Sequence, residues 1–368
     1  MPSARSRRLW LSLLQLALAG GLIAILFLKM ENRADVLDAL RAIARRWPFG
    51  AAATLCFLGC LTAATRRWQR ILAATGMRLS FARTLRLTFT GQFFNAFLFG
   101  SLGGDAVKAF GVARHFPHSQ TAAAASVFID RMIGMLALFV IALAALLARL
   151  DFFLRYRETR VVAYALAACA VLLVLILVMV FRRNLFEKSA WFRNLETTAR
   201  LGGVLSQLYR AFHTCMTHRG LMTETLLLSM ANHVFLILAA YLLGAGLQIR
   251  TIPETDPPRP PAIQAAAEFG TYLTLFPVIN GIAALPLTPG GLGTRDAAAQ
   301  MLLGVPEFNV PRSRAVTLSL LVYAITFFWS LAGGIVYATG GRRPEKDTSF
   351  RQWFRFPPRP NVHGSVIE

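Results

Sequence analysis

The stretch AAAASVFIDRMIGMLALFVIALAALL, residues 122–147, decides the fold, because it is almost entirely apolar. Only two of its 26 residues are charged, one acidic and one basic. A helix crosses the hydrocarbon core of a bilayer with about 20 apolar residues, since all its backbone groups bond within the helix. This run is therefore predicted to span a membrane. Five further runs meet the same standard, so we expect six full spans: 9–28, 48–65, 122–148, 160–181, 221–247 and 313–338.

The composition of the whole chain also indicates a polytopic membrane protein. Of 368 residues, 55% are hydrophobic and 15% are charged, and the mean hydropathy is +0.51. Soluble domains average about 25% charged residues. Lys and Arg outnumber Asp and Glu by 39 to 18, but they cluster between the apolar runs, which is typical of membrane topology. We therefore expect no nucleic-acid partner.

Cysteine and histidine spacing gives no sign of a metal or redox centre. The chain has four cysteines, no CxxC pair and no histidine at zinc spacing from them. Small buried hydrophobic residues are the simpler interpretation of these cysteines. No metal and no cofactor is expected.

Two further apolar stretches, 83–116 and 264–305, are interrupted midway by glycine clusters that charged residues follow at once. A straight helix through either would place Gly-Gly pairs and ions in hydrocarbon. Such breaks occur at membrane depth only where the backbone is buried in protein or lines a watery cavity. We therefore predict two re-entrant helical hairpins, and with the six spans an all-α bundle of eight membrane segments.

The distribution of basic residues tests this topology. Six spans and two hairpins place 24 Lys and Arg on the cytoplasmic side and 14 outside, whereas eight plain spans give 21 and 17. Basic residues concentrate in cytoplasmic loops, so the hairpin topology is favoured. It makes residues 1–340 one transmembrane domain and 341–368 a basic cytoplasmic tail, and it places both termini on the cytoplasmic side. The hairpins then enter from opposite sides, as in an inverted repeat.

The first break, GSLGGDAVKAFGVAR at residues 100–114, has the chemistry of an anion site. Gly103 and Gly104 allow a tight turn, and Asp105 is predicted to be the N-cap of the following helix, which carries Lys108 and Arg114. The free N–H groups of a helix start and a lysine one turn later attract phosphate. The alternative is that the glycines only let two helices cross closely.

The second break, LPLTPGGLGTRDAAAQ at residues 285–300, repeats this pattern. Prolines end one helix, glycines form the turn, and a threonine is predicted to cap the next helix. The alternative is a solvated surface loop. The candidate residues here are Gly290, Gly291, Gly293, Thr294, Arg295 and Asp296, and an asparagine precedes each break, Asn95 before the first and Asn280 before the second.

The third candidate is the pair Asp130 and Arg131 within the predicted span 122–148. An intramembrane charge is costly and by default functional. Neighbouring positions on a helix do not face each other, so each charge needs its own partner. Asp105 or Asp296 is expected for Arg131, and Lys108 or Arg295 for Asp130. A purely structural ion pair is the competing interpretation.

Four motifs resemble the flippase-like transmembrane family found at the N-terminus of bacterial lysylphosphatidylglycerol synthetases. They are GQFFNAFLFGSLGGDAVKAFGVAR at 91–114, SVFIDRMIGMLAL at 126–138, LPLTPGGLGTRDAA at 285–298 and the basic RRWQRILAATG at 66–76. The resemblance covers about residues 9–338. This chain differs in having Phe99 and Gly100 where the family usually has a proline before the first glycine cluster.

The resemblance implies that the protein moves a lipid, or its head group, between leaflets. The implied partners are membrane lipids: an anionic phospholipid, an aminoacyl-lipid or a polyprenyl-phosphate lipid. A second copy or a lipid-modifying enzyme is a further possible partner. We expect no catalytic residue, since no nucleophile elbow or HExxH helix is present. The alternatives are a membrane enzyme or subunit acting on polyprenyl-phosphate-linked sugars, and an ion-coupled solute transporter.

Overall fold

The computed structural model describes residues 33–97, 102–181, 218–252, 259–284 and 293–339, and their regular secondary structure is helical throughout. Besides a short 3₁₀ turn, Pro117–Ser119, these residues form eleven helices. The helices are α1 Arg33–Arg45, α2 Trp47–Ala74, α3 Phe81–Phe97, α4 Leu102–Ala113, α5 Gln120–Ala148, α6 Leu150–Arg155, α7 Arg157–Phe181, α8 Arg219–Gly246, α9 Pro261–Ala284, α10 Thr294–Leu303 and α11 Arg312–Thr339.

Five of the described helices are long and apolar enough to cross a membrane: α2, α5 with its preceding turn, α8, α9 and α11. Four of them coincide with predicted spans, and the predicted span 160–181 is helical as α7. The fifth, α9, is the first arm of the second predicted hairpin, so that arm alone has the length of a span. The predicted span 9–28 and the tail 341–368 lie outside the described residues.

Helices α2 and α8 form an antiparallel pair along the middle of the bundle. Gly246, at the end of α8, lies against Phe49 near the start of α2. At the other end of the pair, Arg70 of α2 binds Glu224 of α8 at 2.7 Å. The pairing brings the C-terminal ends of the two helices to opposite ends of the bundle.

The first glycine break joins two helices that pack antiparallel, as predicted. Gly91 of α3 lies against Lys108 of α4, and Gly111 of α4 against Leu87 of α3. The arms have 17 and 12 residues, or about 25 and 18 Å, less than the roughly 30 Å of a bilayer core. Each arm alone is therefore shorter than a bilayer core, and the re-entrant path of this hairpin stays a prediction.

The two glycine-broken segments pack at opposite ends of the α2–α8 pair. The end of α4 packs with the C-terminal end of α2, where Val112 and Leu72 share one apolar cluster. Helix α9 packs with the C-terminal end of α8, where the rings of Tyr241 and Phe269 lie 5.6 Å apart. The two segments therefore lie at opposite ends of this helix pair, and their entry from opposite sides of a membrane stays a prediction.

Each glycine-broken segment also packs against the long helix that comes after the other broken segment in the sequence. Helix α3 meets α11, where Gly333 lies against the backbone of Phe89. Helix α9 meets α5, where Gly281 lies against Leu138. Each half of the chain therefore contains a long helix, a glycine-broken segment and a second long helix. The two halves interlock, because the broken segment of each half packs against the second long helix of the other. Apolar side chains such as Leu55, two-thirds exposed, cover the outside, as expected of a surface that faces lipid.

Candidate functional site

A buried ionic network lies where α2, α4, α5 and α8 meet. Asp130 of α5 accepts a hydrogen bond from Nε of Arg67 at 2.7 Å, and its other oxygen lies 3.5 Å from Nζ of Lys108. The side chains of these three residues are each about one-tenth exposed. A charge this deep is retained only when it is paired, so the three side chains form one unit.

Neighbouring polar groups hold the guanidinium of Arg67 in place. Its Nη1 donates to Oγ of Ser229 on α8 at 3.0 Å. The same guanidinium lies over Gly134 of α5, where a Cβ atom would come within 3.2 Å of Nη1. The carbonyl oxygen of Gly134 lies 2.9 Å from a ring nitrogen of His233, which places that histidine beside the network.

The ammonium of Lys108 is bound more loosely than the guanidinium of Arg67. Beyond its 3.5 Å contact with Asp130, it lies 4.3 Å from the centre of the Trp68 ring. The indole N–H of Trp68 donates to Ser126 at 3.3 Å, which fixes the ring. A cation–π contact attracts the ammonium without using an N–H donor, so the donors that are not directed at Asp130 can serve an anion.

The second charge of α5, Arg131, forms an ion pair with Asp105 of α4. This is one of the two partners that the sequence predicts for Arg131. Lys108 is likewise one of the two partners predicted for Asp130. The network therefore joins the first hairpin to α5 through two separate ion pairs.

The predicted capping role of Asp105 is wrong, because α4 begins at Leu102 and Asp105 lies within its first turn. Gly103 and Gly104 likewise belong to the helix and not to the preceding turn. The N–H of Gly104 donates to the side-chain oxygen of Asn95 on α3 at 2.9 Å. The neighbouring arm thus supplies an acceptor for the helix start, a contact between two predicted site residues.

Arg67 is the principal residue that the sequence prediction missed. The second span is predicted to end at 65, which places the following basic residues in a loop, but α2 continues to Ala74 and buries Arg67. The signal was present, since Trp68, Ile71 and Leu72 continue the helical spacing of the buried positions before them.

Arg114 is the predicted site residue that the structure excludes from the network. It follows the last residue of α4 and is exposed, with its guanidinium 5.9 Å from the ring of Phe110. Lys108 and Arg114 are therefore close in sequence but lie in different surroundings.

At the second break, the helix begins one residue earlier than it would with the predicted Thr294 cap. Gly293, with a φ of +82°, is the N-cap, and Thr294 is the first residue of α10. Asp296 accepts a hydrogen bond from the N–H of Gly293 at 3.0 Å. Gly293 suits this position because a left-handed φ strains residues with a side chain. Gly290 and Gly291 lie outside the described residues.

Two predicted residues of this segment leave buried polar atoms without a hydrogen bond from any described residue. They are Nε of Arg295 and Oδ1 of Asn280. Among the described residues, no ion pair connects them to Asp130 or Lys108. The structure thus separates two groups of predicted residues, one at each glycine break.

Charge and donor chemistry limit what the network can bind. It holds three cations, Arg67, Lys108 and Arg131, and two carboxylates, Asp105 and Asp130, so one positive charge is in excess. Within the described part of the chain, no group of three His, Cys, Asp or Glu side chains is placed to hold a metal ion. The arrangement favours an anionic group beside Lys108.

The family model for the lysylphosphatidylglycerol synthase transmembrane region matches residues 12–334. The chain belongs to this family. The match confirms the resemblance seen in the four motifs and connects this multi-pass membrane protein with membrane lipids. Comparison with individual curated proteins gave no match. All described members of the ionic network lie within the matched region of the lysylphosphatidylglycerol synthase transmembrane family.

Proposed function

We propose that this chain moves a lipid, or the head group of a lipid, between the two leaflets of a bacterial inner membrane. The observation that carries the proposal is the buried network of Arg67, Asp130 and Lys108, with an excess cation inside an apolar bundle. A phosphate that crosses a membrane needs such a charge at depth, because its transfer into hydrocarbon alone is prohibitive.

Lys108 is the residue that would receive the phosphate. Its contact with Asp130 is long at 3.5 Å, whereas Arg67 neutralises the same carboxylate at 2.7 Å. When a phosphate replaces Asp130 as the partner of Lys108, the Arg67–Asp130 pair stays intact. The exchange therefore leaves no buried carboxylate without a cation, which keeps its free-energy cost low.

The second break would serve the other leaflet. Arg295 and Asn280 leave buried polar atoms there without a described partner, and Gly293 starts a ten-residue helix beside them. The guanidinium of Arg295, with its Nε donor unused by the described residues, suits an anion. The acyl chains would follow the apolar outer surface while the head group passes between the two ends.

We further propose that the chain itself is not an enzyme. Asp105 and Asp130 are the carboxylates of the network, and each is held in an ion pair, which disfavours a role as general acid or base. A membrane enzyme acting on polyprenyl-phosphate-linked sugars and an ion-coupled solute carrier are the alternatives that an assay must separate. A second copy or a lipid-modifying enzyme would be a partner, and both termini would face the cytoplasm.

Leaflet exchange of labelled lipids in vesicles containing the purified protein tests the proposal. We expect wild type to accelerate the exchange of an anionic or aminoacylated lipid, and K108Q to lower the rate by about tenfold, the effect of one charged hydrogen bond. The matched control is R114Q, which removes a cation from the exposed end of the same helix and should leave the rate unchanged.

Three results would argue against lipid movement. The first is a wild-type protein that accelerates no labelled lipid. The second is equal loss of rate in K108Q and R114Q, which would indicate a general surface effect. The third is a result that supports one of the alternatives. Covalent turnover of a supplied polyprenyl-phosphate lipid would support a membrane enzyme, and heat stabilisation by a soluble solute but by no lipid would support a solute carrier.

A further inference from the structure

A groove of about 550 Å³ lies between α10 and the start of α11, away from the ionic network. One wall is a single face of α10, since its lining positions follow helical spacing. The other wall is the turn that leads into α11. The lining residues are Ala297, Gln300, Met301, Gly304, Asn309, Val310, Pro311 and Arg312.

The turn that forms one wall is held by backbone hydrogen bonds. The N–H of Val310 donates to the carbonyl of Leu303 at 3.1 Å, and that of Asn309 to Val305 at 2.8 Å. Asn309 adopts a left-handed φ of 46°, which asparagine tolerates better than most residues. The opposite face of α10 is anchored in the core, where Leu302 and Leu303 are fully buried. The groove is therefore preformed, as ligand sites usually are.

The chemistry of the groove is amphipathic. Ala297, Met301 and Val310 supply apolar surface, and Gln300 and Arg312 supply hydrogen-bond donors. Arg312 has no ion-pair partner within the described ranges. The carboxylate in the same turn, Glu307, is bound to Arg149 at 2.6 Å, so its charge is already balanced. An anion next to Arg312 thus meets a cation without a competing carboxylate.

The position of the groove identifies the source of that anion. Arg312 is the first residue of α11, a helix long and apolar enough to span the membrane. The first residue of a span lies at the level of the lipid head groups, where arginine meets lipid phosphate. The apolar wall of α10 is then level with the upper part of the acyl chains.

We propose that this groove binds one anionic phospholipid, with its phosphate on Arg312 and its first methylene groups against Met301 and Val310. The site does not depend on lipid movement, because a lipid can reside there whether or not it crosses. If the protein does move lipids, the groove holds a lipid at the end of α10 opposite to Arg295.

Native mass spectrometry of the detergent-purified full chain, titrated with phosphatidylglycerol or phosphatidylcholine, tests this site. We expect wild type to retain phosphatidylglycerol in preference to phosphatidylcholine. R312Q should bind phosphatidylglycerol about fivefold more weakly, the worth of one arginine at a lipid surface. R314Q is the matched control, because Arg314 is an exposed arginine of the same helix turn that does not line the groove.

A second variant and a competitor sharpen the result. M301W fills the apolar wall and should reduce phosphatidylglycerol retention while Arg312 remains. Glycerol phosphate, the soluble head group, should not displace the lipid, and displacement would show that the site takes phosphate alone. Equal binding by R312Q and R314Q, or equal retention of both lipids by wild type, would overturn the proposal. Leaflet exchange is measured on R312Q as well, so that a loss of lipid binding in the groove is distinguished from a loss of the proposed transport.

Discussion

At the scale of single residues, burial makes the pairing of Arg67 and Asp130 a determinant of stability. Removal of one partner from a buried ion pair leaves the other charge without compensation, which costs about 3–5 kcal/mol. We expect R67Q to lower the thermal stability of the detergent-purified protein by an amount in this range, reduced to the extent that Lys108 still balances Asp130.

The neighbouring arginine provides the control for R67Q. Arg66 is exposed, and among the described residues its side chain bonds only to Gln69 of its own helix, at 2.8 Å. R66Q should therefore change stability by less than about 0.5 kcal/mol. If R66Q and R67Q have the same melting temperature, Arg67 is not held in the network as the structure has it.

Gly134 is a second residue whose role can be isolated. An added Cβ would press within 3.2 Å of the Arg67 guanidinium, whereas at Gly281 in α9 the nearest atom, on Leu138, is 4.0 Å away. Alanine otherwise favours a helix over glycine by up to about 1 kcal/mol. We expect G281A to raise the melting temperature and G134A to lower it. A gain of stability in G134A would contradict the close packing of Arg67 on α5.

Half of this residue-scale chemistry could be predicted from sequence. The rule that an intramembrane charge needs a partner leaves Asp105 and Asp296 as candidates for Arg131, and the structure pairs Arg131 with Asp105. The pair of Asp130 with Arg67 was missed because the two residues come from separate spans, and their contact depends on the vertical register of α2 against α5. Local sequence carries no information about that register, whereas helical spacing could have shown that Arg67 is in a helix.

At the scale of the elements, the first hairpin depends on the absence of side chains where its arms cross. A Cβ on Gly104 would collide with the carbonyl oxygen of Gly91 and with Asn95. G104A must therefore push α3 away from α4, at a cost of about 1–3 kcal/mol or more, and it displaces Asp105 from Arg131. We expect lower thermal stability and slower leaflet exchange.

The control for G104A is G220A in the first turn of α8. An added Cβ at Gly220 meets no atom of the described residues within 4 Å, so this variant should behave as wild type. Normal stability and normal exchange in G104A would show that the arms do not cross as closely as the structure has them.

Helix bounds were predictable where an apolar run was long, and less so where a helix ends. The four confirmed spans follow from hydropathy alone, while α2 extends well beyond its apolar run because Trp68 and Ile71 pack inside the bundle. Similarly, the glycines of a break are predicted to form a turn, whereas Gly103 and Gly104 lie in a helix. Glycine is permissive, so its conformation is set by the helix it packs against.

At the scale of the whole molecule, the interlocked halves make a topological prediction. The turn before α5, with His118, follows the hairpin at the C-terminal end of α2, and Arg259 precedes α9 at the C-terminal end of α8. Since α2 and α8 are antiparallel, these residues should lie on opposite sides of the membrane. From the excess of basic residues in its loops, we expect the His118 side to face the cytoplasm.

Cysteine labelling measures this arrangement directly. In a background without the four native cysteines, R259C should react with a membrane-impermeant maleimide in intact cells, because Arg259 is exposed. H118C and T339C should react only after permeabilisation, since α11 returns the chain to the cytoplasmic side. Complete reversal of the pattern would leave the bundle intact and invert its orientation in the membrane. Labelling of H118C and R259C from the same side would instead contradict the placement of the two glycine-broken segments at opposite ends, and with it a path that accepts a head group from both leaflets.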